Sequence, residues 1–209
     1  MTTSHTSRGR RGSAGIEFCL STFVWVPLLI GLIVVGSSLI RAIQVTQIAR
    51  DTGNMFAKGV DFSQGGNQDI VFRLANGLDF HRDSGEGVIL LSTITFIGAN
   101  ECVAGGRQAN PTSCPNMNQS VVTRRIVFGN SAKHTSAFGT PRGGLADAQG
   151  YIASSAYLTD TSTRATGFGG LLSLDPGQLA YVAEMYQAAP DLNWGTYMSG
   201  SGVYARSIF

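Results

Sequence analysis

Between Phe18 and Ile40 the chain runs 23 residues, FCLSTFVWVPLLIGLIVVGSSLI, without one charged side chain. As an α-helix this stretch would measure roughly 34 Å at ~1.5 Å per residue, enough to cross a hydrocarbon core of ~30 Å. Arg8, Arg10 and Arg11 precede it and nothing acidic appears before Glu17. The positive-inside rule therefore places the N-terminus in the cytoplasm and everything after Arg41 outside. Pro27 is compatible with a spanning helix, because local adjustment or neighbouring helices recover the lost backbone bond. Three readings are open to such a segment: a cleaved secretory signal, a plain uncleaved anchor, and an anchor that is processed and then assembled. The apolar run is longer than the ~7 to 15 residues of an ordinary signal core, although Gly36 and Ser38 imitate a cleavage site.

The remainder fits an exported domain. Only 13% of the 209 residues are charged, against about 25% in an average globular protein, while 27 glycines and many Ser, Thr and Asn residues fill the loops. The length allows one domain of ordinary size plus an anchor. The net charge of +2 is concentrated near the N-terminus. Nucleic-acid binding needs a basic face spread through a domain, and neither that face nor a recognisable motif is present, so no nucleic-acid partner is expected.

Cys19 lies inside the apolar run, where it reads as a small lipid-facing or helix-facing residue. That leaves Cys102 and Cys114 flanking a Gly, Asn and Pro-containing stretch, which reads as a loop closed by a disulfide in an oxidising compartment. A zinc site is the competing idea, but two thiolates without a nearby Cys or His pair support it poorly.

Glu17 carries the most information in the anchor, because an ionisable group at the edge of a spanning helix is costly unless it has a partner. Counting from Gly12, the stretch Ser13, Ala14, Gly15, Ile16, Glu17 puts a glutamate fifth after a glycine that ends a basic leader. This resembles the processing signal of type IV pilins and their relatives, where a prepilin peptidase cuts after the glycine. The fuller pattern, RRGSAGIEF followed by LSTFVWVPLLIGLIVVG, resembles the TadE and TadG-like pseudopilins of the tight-adherence (Tad) pilus system, with Glu17, Phe18, Pro27 and Gly36 in the matching places. The resemblance covers residues 9 to about 58, and after them little beyond the ending TYMSGSGVYARSIF. It departs from many pilins in placing Ser13 first after the cut, and in offering a second glycine, Gly15, near the junction.

What the resemblance implies is a structural role. Gly12 and Ser13 would form the processing site, and Glu17 and Phe18 the assembly site, with Glu17 paired to the new Ser13 amine of a neighbouring subunit. The partners would be other pilin or pseudopilin subunits, the prepilin peptidase and inner-membrane lipid. The chain would sit in the inner membrane as a single-pass protein with its head in the periplasm, or outside the cell after assembly. The alternative is a signal-anchored periplasmic binding or enzymatic domain unrelated to a filament.

The expected fold class is α+β: a long N-terminal transmembrane helix continuing into an antiparallel, β-rich, pilin-like head. Its divisions are a leader over 1–12, the helix over 13–60 and the head over 61–209. Apolar residues at Val45, Ile48, Ala49, Met55 and Phe56, with Thr52, keep a helical rhythm to about Lys58. A second helix is expected from Gln68 to Asp79, with Ile70, Phe72, Leu74 and Leu78 mostly inward. The β-branched run Val88–Ile97, bounded by glycines, reads as a strand, and Ser120–Phe128 as its hairpin partner with Val122, Ile126 and Phe128 on one face. Residues 130–170 are glycine-rich and weakly periodic, which suggests a surface elaboration or a partly mobile segment. Gln178–Ala188 satisfies helix and strand templates alike and is taken as a strand, and Val203–Phe209 as the last strand.

No catalytic motif is recognisable, and His5, His81 and His134 read as leader or solvated loop residues. Asp147, Asp160 and Asp175 lack calcium-loop spacing. No enzyme activity, metal or cofactor is therefore expected. The aromatics Phe128, Phe138, Tyr151, Tyr157, Phe168, Tyr181 and Tyr186 suit either core packing, the preferred reading, or a carbohydrate or partner surface.

Overall fold

A computed structural model describes residues 11–188 and 202–209, with side chains from Gly15 onward in the first helix. Most of the expected leader, and the first part of the ending TYMSGSGVYARSIF, lie outside the described residues. Helix α1 (Arg11–Ala57) is followed by α2 (Gly65–Leu74), strand β1 (Gly87–Ile97), α3 (Ala99–Ala104), β2 (Gln119–Gly129), the single turn α4 (Ser154–Tyr157), β3 (Leu179–Gln187) and β4 (Val203–Ile208). A long helix leading into a small antiparallel sheet is thus the α+β arrangement. The chain divides into two compact units, Met1–Ile40 and Arg41–Phe209. The division falls inside α1 and not near residue 60, because Val45, Ile48, Ala49 and Phe56 are buried members of the second unit's core.

In the Arg41–Phe209 unit the sheet has the order β2-β1-β3-β4, every neighbouring pair antiparallel. One face carries Ile89, Leu91, Ile126, Phe128, Ala183 and Met185 against the α1 stripe and against Val71, Ala75 and Leu78. The approach is closest at Gly53, where an added Cβ would lie 2.5 Å from the Phe209 ring and 2.9 Å from Ala183 Cβ. Any side chain there would push the helix off the sheet. Val71 of α2, with Ala75 and Leu78 just after it, is the buried stripe, so Ile70 and Leu74 are exposed, contrary to the inward reading. It also ends earlier than expected, followed by a turn in which Gly77 takes φ +95°, a conformation that only glycine adopts without strain.

The hairpin β1–β2 contains a bulge. Thr93 pairs with Arg124 but Ile94 pairs with Val122, so Thr123 is the extra residue. Because side chains alternate faces, one inserted residue reverses the facing of everything beyond it. Val122 therefore sits in a different cluster from Ile126 and Phe128, together with Ile94, Ala180 and Val182 on the other face.

That other face is covered by residues 130–170. The segment has little regular structure, yet it buries Phe138, Ile152 and Phe168 on the sheet. It also pairs along the outer edge of β2, where the Arg125 N–H bonds Gly150 O at 2.8 Å, Ile152 N–H bonds Thr123 O at 2.9 Å and Ala165 N–H bonds Ser120 O at 2.8 Å. The segment is a packed third layer that also blunts a sheet edge. Its phenylalanines follow the core reading, whereas Tyr151 is 52% exposed.

Candidate functional site

In α1 every described residue from Gly15 to Ile40 is exposed or half-buried. Phe18 is 73% and Phe23 82% exposed, and the mean hydropathy of the best window is 2.5. The segment is apolar around its whole circumference, which in water would be an unfavourable surface. Two of its hydroxyls are bonded within the helix: Thr22 Oγ1 donates to Phe18 O at 2.8 Å and Ser37 Oγ to Val34 O at 2.9 Å. Both hydroxyls are thereby satisfied without water, the requirement of a segment in hydrocarbon. Pro27 is accommodated inside the helix. Among the described residues this is one helix, near the N-terminus, long and apolar enough to cross a membrane.

Gly12 and Ser13 lie in the first helical turns by backbone, and Glu17 follows one turn after Ser13 with its side chain exposed. The free thiol of Cys19 is exposed on the same segment. Phe18, Thr22 and Val26 form one continuous side of the helix, spaced four residues apart.

The Cys102–Cys114 disulfide is formed, with Cα atoms 6.0 Å apart across a separation of 12 residues. Glu101 reaches back to the Gly98 N–H at 2.8 Å, which closes the start of α3 and sets Cys102 inward. Both cysteines are buried with Ile97, Val121 and Leu158. Just beyond, buried Asn116 donates to Tyr157 O and Asp160 O, each at 2.8 Å, and accepts from Arg164 Nε at 2.8 Å. The closed loop is therefore the peg to which the third layer is tied.

Compared with protein families, curated proteins and solved structures, the chain matches none. Its chemistry must be argued from its own residues.

Sequence reasoning passed over Glu184. It is fully buried on β3, on the face away from α1, and accepts from Ser136 Oγ in a short hydrogen bond, from Ala137 N–H at 2.8 Å and from Tyr204 OH at 2.7 Å. Arg125 is half-buried, donating to Gly139 O at 3.1 Å; desolvation lowers its pKa and the Glu184 charge opposes that shift. A buried acid in an apolar strand, QLAYVAEMYQ, was the available signal. The neighbouring His134 is no free loop residue: its ring stacks 4.8 Å from Tyr186 and 5.1 Å from Tyr204. His81 is exposed beside Asp79 at 3.1 Å. Asp147 and Asp160 accept backbone N–H bonds in turns, and among the described residues no three His, Cys, Asp or Glu side chains are grouped to hold a metal.

The Tyr204 hydroxyl has its pKa pushed well up, first by burial and then by its bond to the Glu184 carboxylate. The folded state holds that proton more tightly than the unfolded chain does. Its contribution to stability is complete below the ordinary tyrosine value of 10.0 and is lost as pH rises through the raised folded value. Thermal melts between about pH 8 and about pH 11 should show stability declining at the alkaline end. Tyr204→Phe should flatten that decline, and an unchanged slope would show that the proton resides elsewhere.

Proposed function

We propose that the chain is a structural minor pilin or pseudopilin of a Tad or type IV-like pilus or secretion machine, with no catalytic step of its own. It is held in the inner membrane by α1, with its N-terminus in the cytoplasm and its head in the periplasm. The observation that carries this reading is an uncovered helix, apolar on all sides, with one carboxylate near its N-terminal end. Lipid explains the apolar surface, and a carboxylate at the edge of the span does not help it partition. A neighbouring subunit whose new Ser13 amine meets Glu17 converts two costly charges into a pair that sets the axial register. Phe18 and the residues after it then pack between neighbouring helices. The disulfide supports exposure of the head to an oxidising compartment.

Intact mass and N-terminal sequencing of protein from native membranes should give a mature chain beginning at Ser13. Glu17→Gln keeps the shape and removes the charge, so the variant should be inserted and cleaved, yet recovered at less than about a tenth of the wild-type level with its pilin partners, the loss expected when one partner of a low-dielectric ion pair is removed. A mature chain beginning near Leu39 would mean ordinary signal processing. Wild-type co-assembly of a processed Glu17→Gln protein would remove the pairing role.

A further inference from the structure

Beyond Ala57, where α1 stops, a groove of about 350 Å³ lies on the face of the sheet across β2, β1 and β3. One register row crosses its floor: Arg124 of β2 pairs with Thr93 of β1, which pairs with Tyr181 of β3. Tyr151, Ile152 and Tyr157, from the segment that runs along the outer edge of β2, and Phe56 of α1 complete the lining. The Thr123 bulge adjoins Arg124, and bulges are common beside functional sites.

The rings and the guanidinium make a chain of contacts. The Arg124 guanidinium lies 4.1 Å from the Tyr151 ring and 5.6 Å from the Phe56 ring, and Phe56 meets Tyr181 edge-on at 5.5 Å. Arg124 is already committed, donating to Asp61 Oδ1 at 2.6 Å and to Gln149 O at 3.1 Å, with its side chain only 11% exposed. Asp61 is held below the usual carboxylate range, chiefly by its bonds from Ser63 and further by Arg124. The groove therefore presents no unbalanced charge. It does present three tyrosines, Tyr151, Tyr157 and Tyr181, whose hydroxyls have no hydrogen-bond partner among the described residues.

We infer that this groove binds a neutral saccharide, one or two pyranose rings long. A sugar ring has apolar C–H faces that pack on tyrosine rings and equatorial hydroxyls that pair with phenolic ones, so it matches both halves of the lining. An anion would find its only cation neutralised, and a purely apolar ligand would strip water from three hydroxyls without replacing it. The volume is at the small end of the ~300–1,000 Å³ range of small-molecule sites, which limits the ligand to a short saccharide. This inference is independent of how α1 assembles.

Full-length protein in phosphatidylcholine nanodiscs avoids sugar-headed detergents, and can be titrated calorimetrically with lactose, maltose and N,N′-diacetylchitobiose, with sialyllactose as the charged control. At least one neutral disaccharide should bind at or below about 10 mM, with affinity unchanged by raising salt because no ion pair forms. Tyr151→Ala should weaken that binding by at least ~10-fold, as truncation of an anchoring aromatic does. Tyr181→Phe, which keeps the ring packed on Phe56 and so protects the fold, should weaken it about 5-fold or more by loss of one hydroxyl contact. Binding of sialyllactose alone, binding that survives both substitutions, or no binding by any neutral member of the panel would overturn the inference.

Discussion

Replacing Glu184 by alanine is expected to lower the stability of the Arg41–Phe209 unit by about 3–5 kcal/mol, the usual cost of removing one member of a buried charged network. The substitution leaves Ser136 Oγ, the Ala137 N–H and the Tyr204 hydroxyl without their acceptor, and takes the Glu184 charge away from half-buried Arg125. A domain of this size has only about 5–15 kcal/mol in total, so the loss is a large fraction. It should lower the melting temperature by about 10 °C or more, at ~2–4 °C per kcal/mol. Glu184→Gln retains the shape and one carbonyl acceptor, and should fall between alanine and wild type. Near-UV circular dichroism of full-length protein, reporting on Tyr204 and Tyr186, would follow the transition. A Glu184→Ala protein melting within about 2 °C of wild type would mean that the network contributes little net energy, as some buried ionic groups do.

The same residue illustrates what the sequence could and could not reveal. In Leu179–Gln187 both faces of the strand are covered, so Ala180, Val182 and Glu184 are as buried as Ala183 and Met185. The period-2 signal that identifies a strand then disappears, and only the aromatic content and the family resemblance argue against a helix. The β1 strand was plain because its β-branched run is bounded by Gly87 and Gly98, and the first helix because its apolar run has no charge. The facing of β2 was misread for a different reason. A bulge is a one-residue event with no compositional mark, and Thr123 looks like any strand threonine.

Long-range packing hid the rest. Phe138, Ile152, Leu158 and Phe168 are too far apart to give any local rhythm, so residues 130–170 looked like surface, although each is at most 4% exposed. The groove was equally hidden, since Phe56, Thr93, Arg124, Tyr151 and Tyr181 come from five separate stretches. The anchor signals, in contrast, are contiguous: Gly12, Ser13, Glu17, Phe18 and the apolar run lie within one helix. The cysteine pairing was legible by elimination, because Cys19 belongs to that run and leaves two partners.

Opening that pairing, by Cys102→Ser with Cys114→Ser, is expected to cost the Arg41–Phe209 unit about 2–3 kcal/mol, the chain-entropy value for a short closed loop. Packing adds to the constraint here. Both half-cystines are fully buried against Ile97, Val121 and Leu158, and serine hydroxyls in their place would need hydrogen bonds that an apolar cluster does not offer. The loop also presents Asn116 and the Pro115 carbonyl to Arg164, which donates to that carbonyl at 2.8 Å. Loosening the loop should therefore be felt first in residues 154–165. Hydrogen exchange of full-length protein should show faster exchange at the Ala165 N–H, which bonds Ser120 O, than at the β1–β3 ladder. Dithiothreitol should lower the wild-type melting temperature by several degrees, at ~2–4 °C per kcal/mol, and leave the double serine variant unchanged. Equal melting of wild type with and without reductant, once mass mapping has confirmed that the bond opens, would show that apolar packing alone holds the third layer in place.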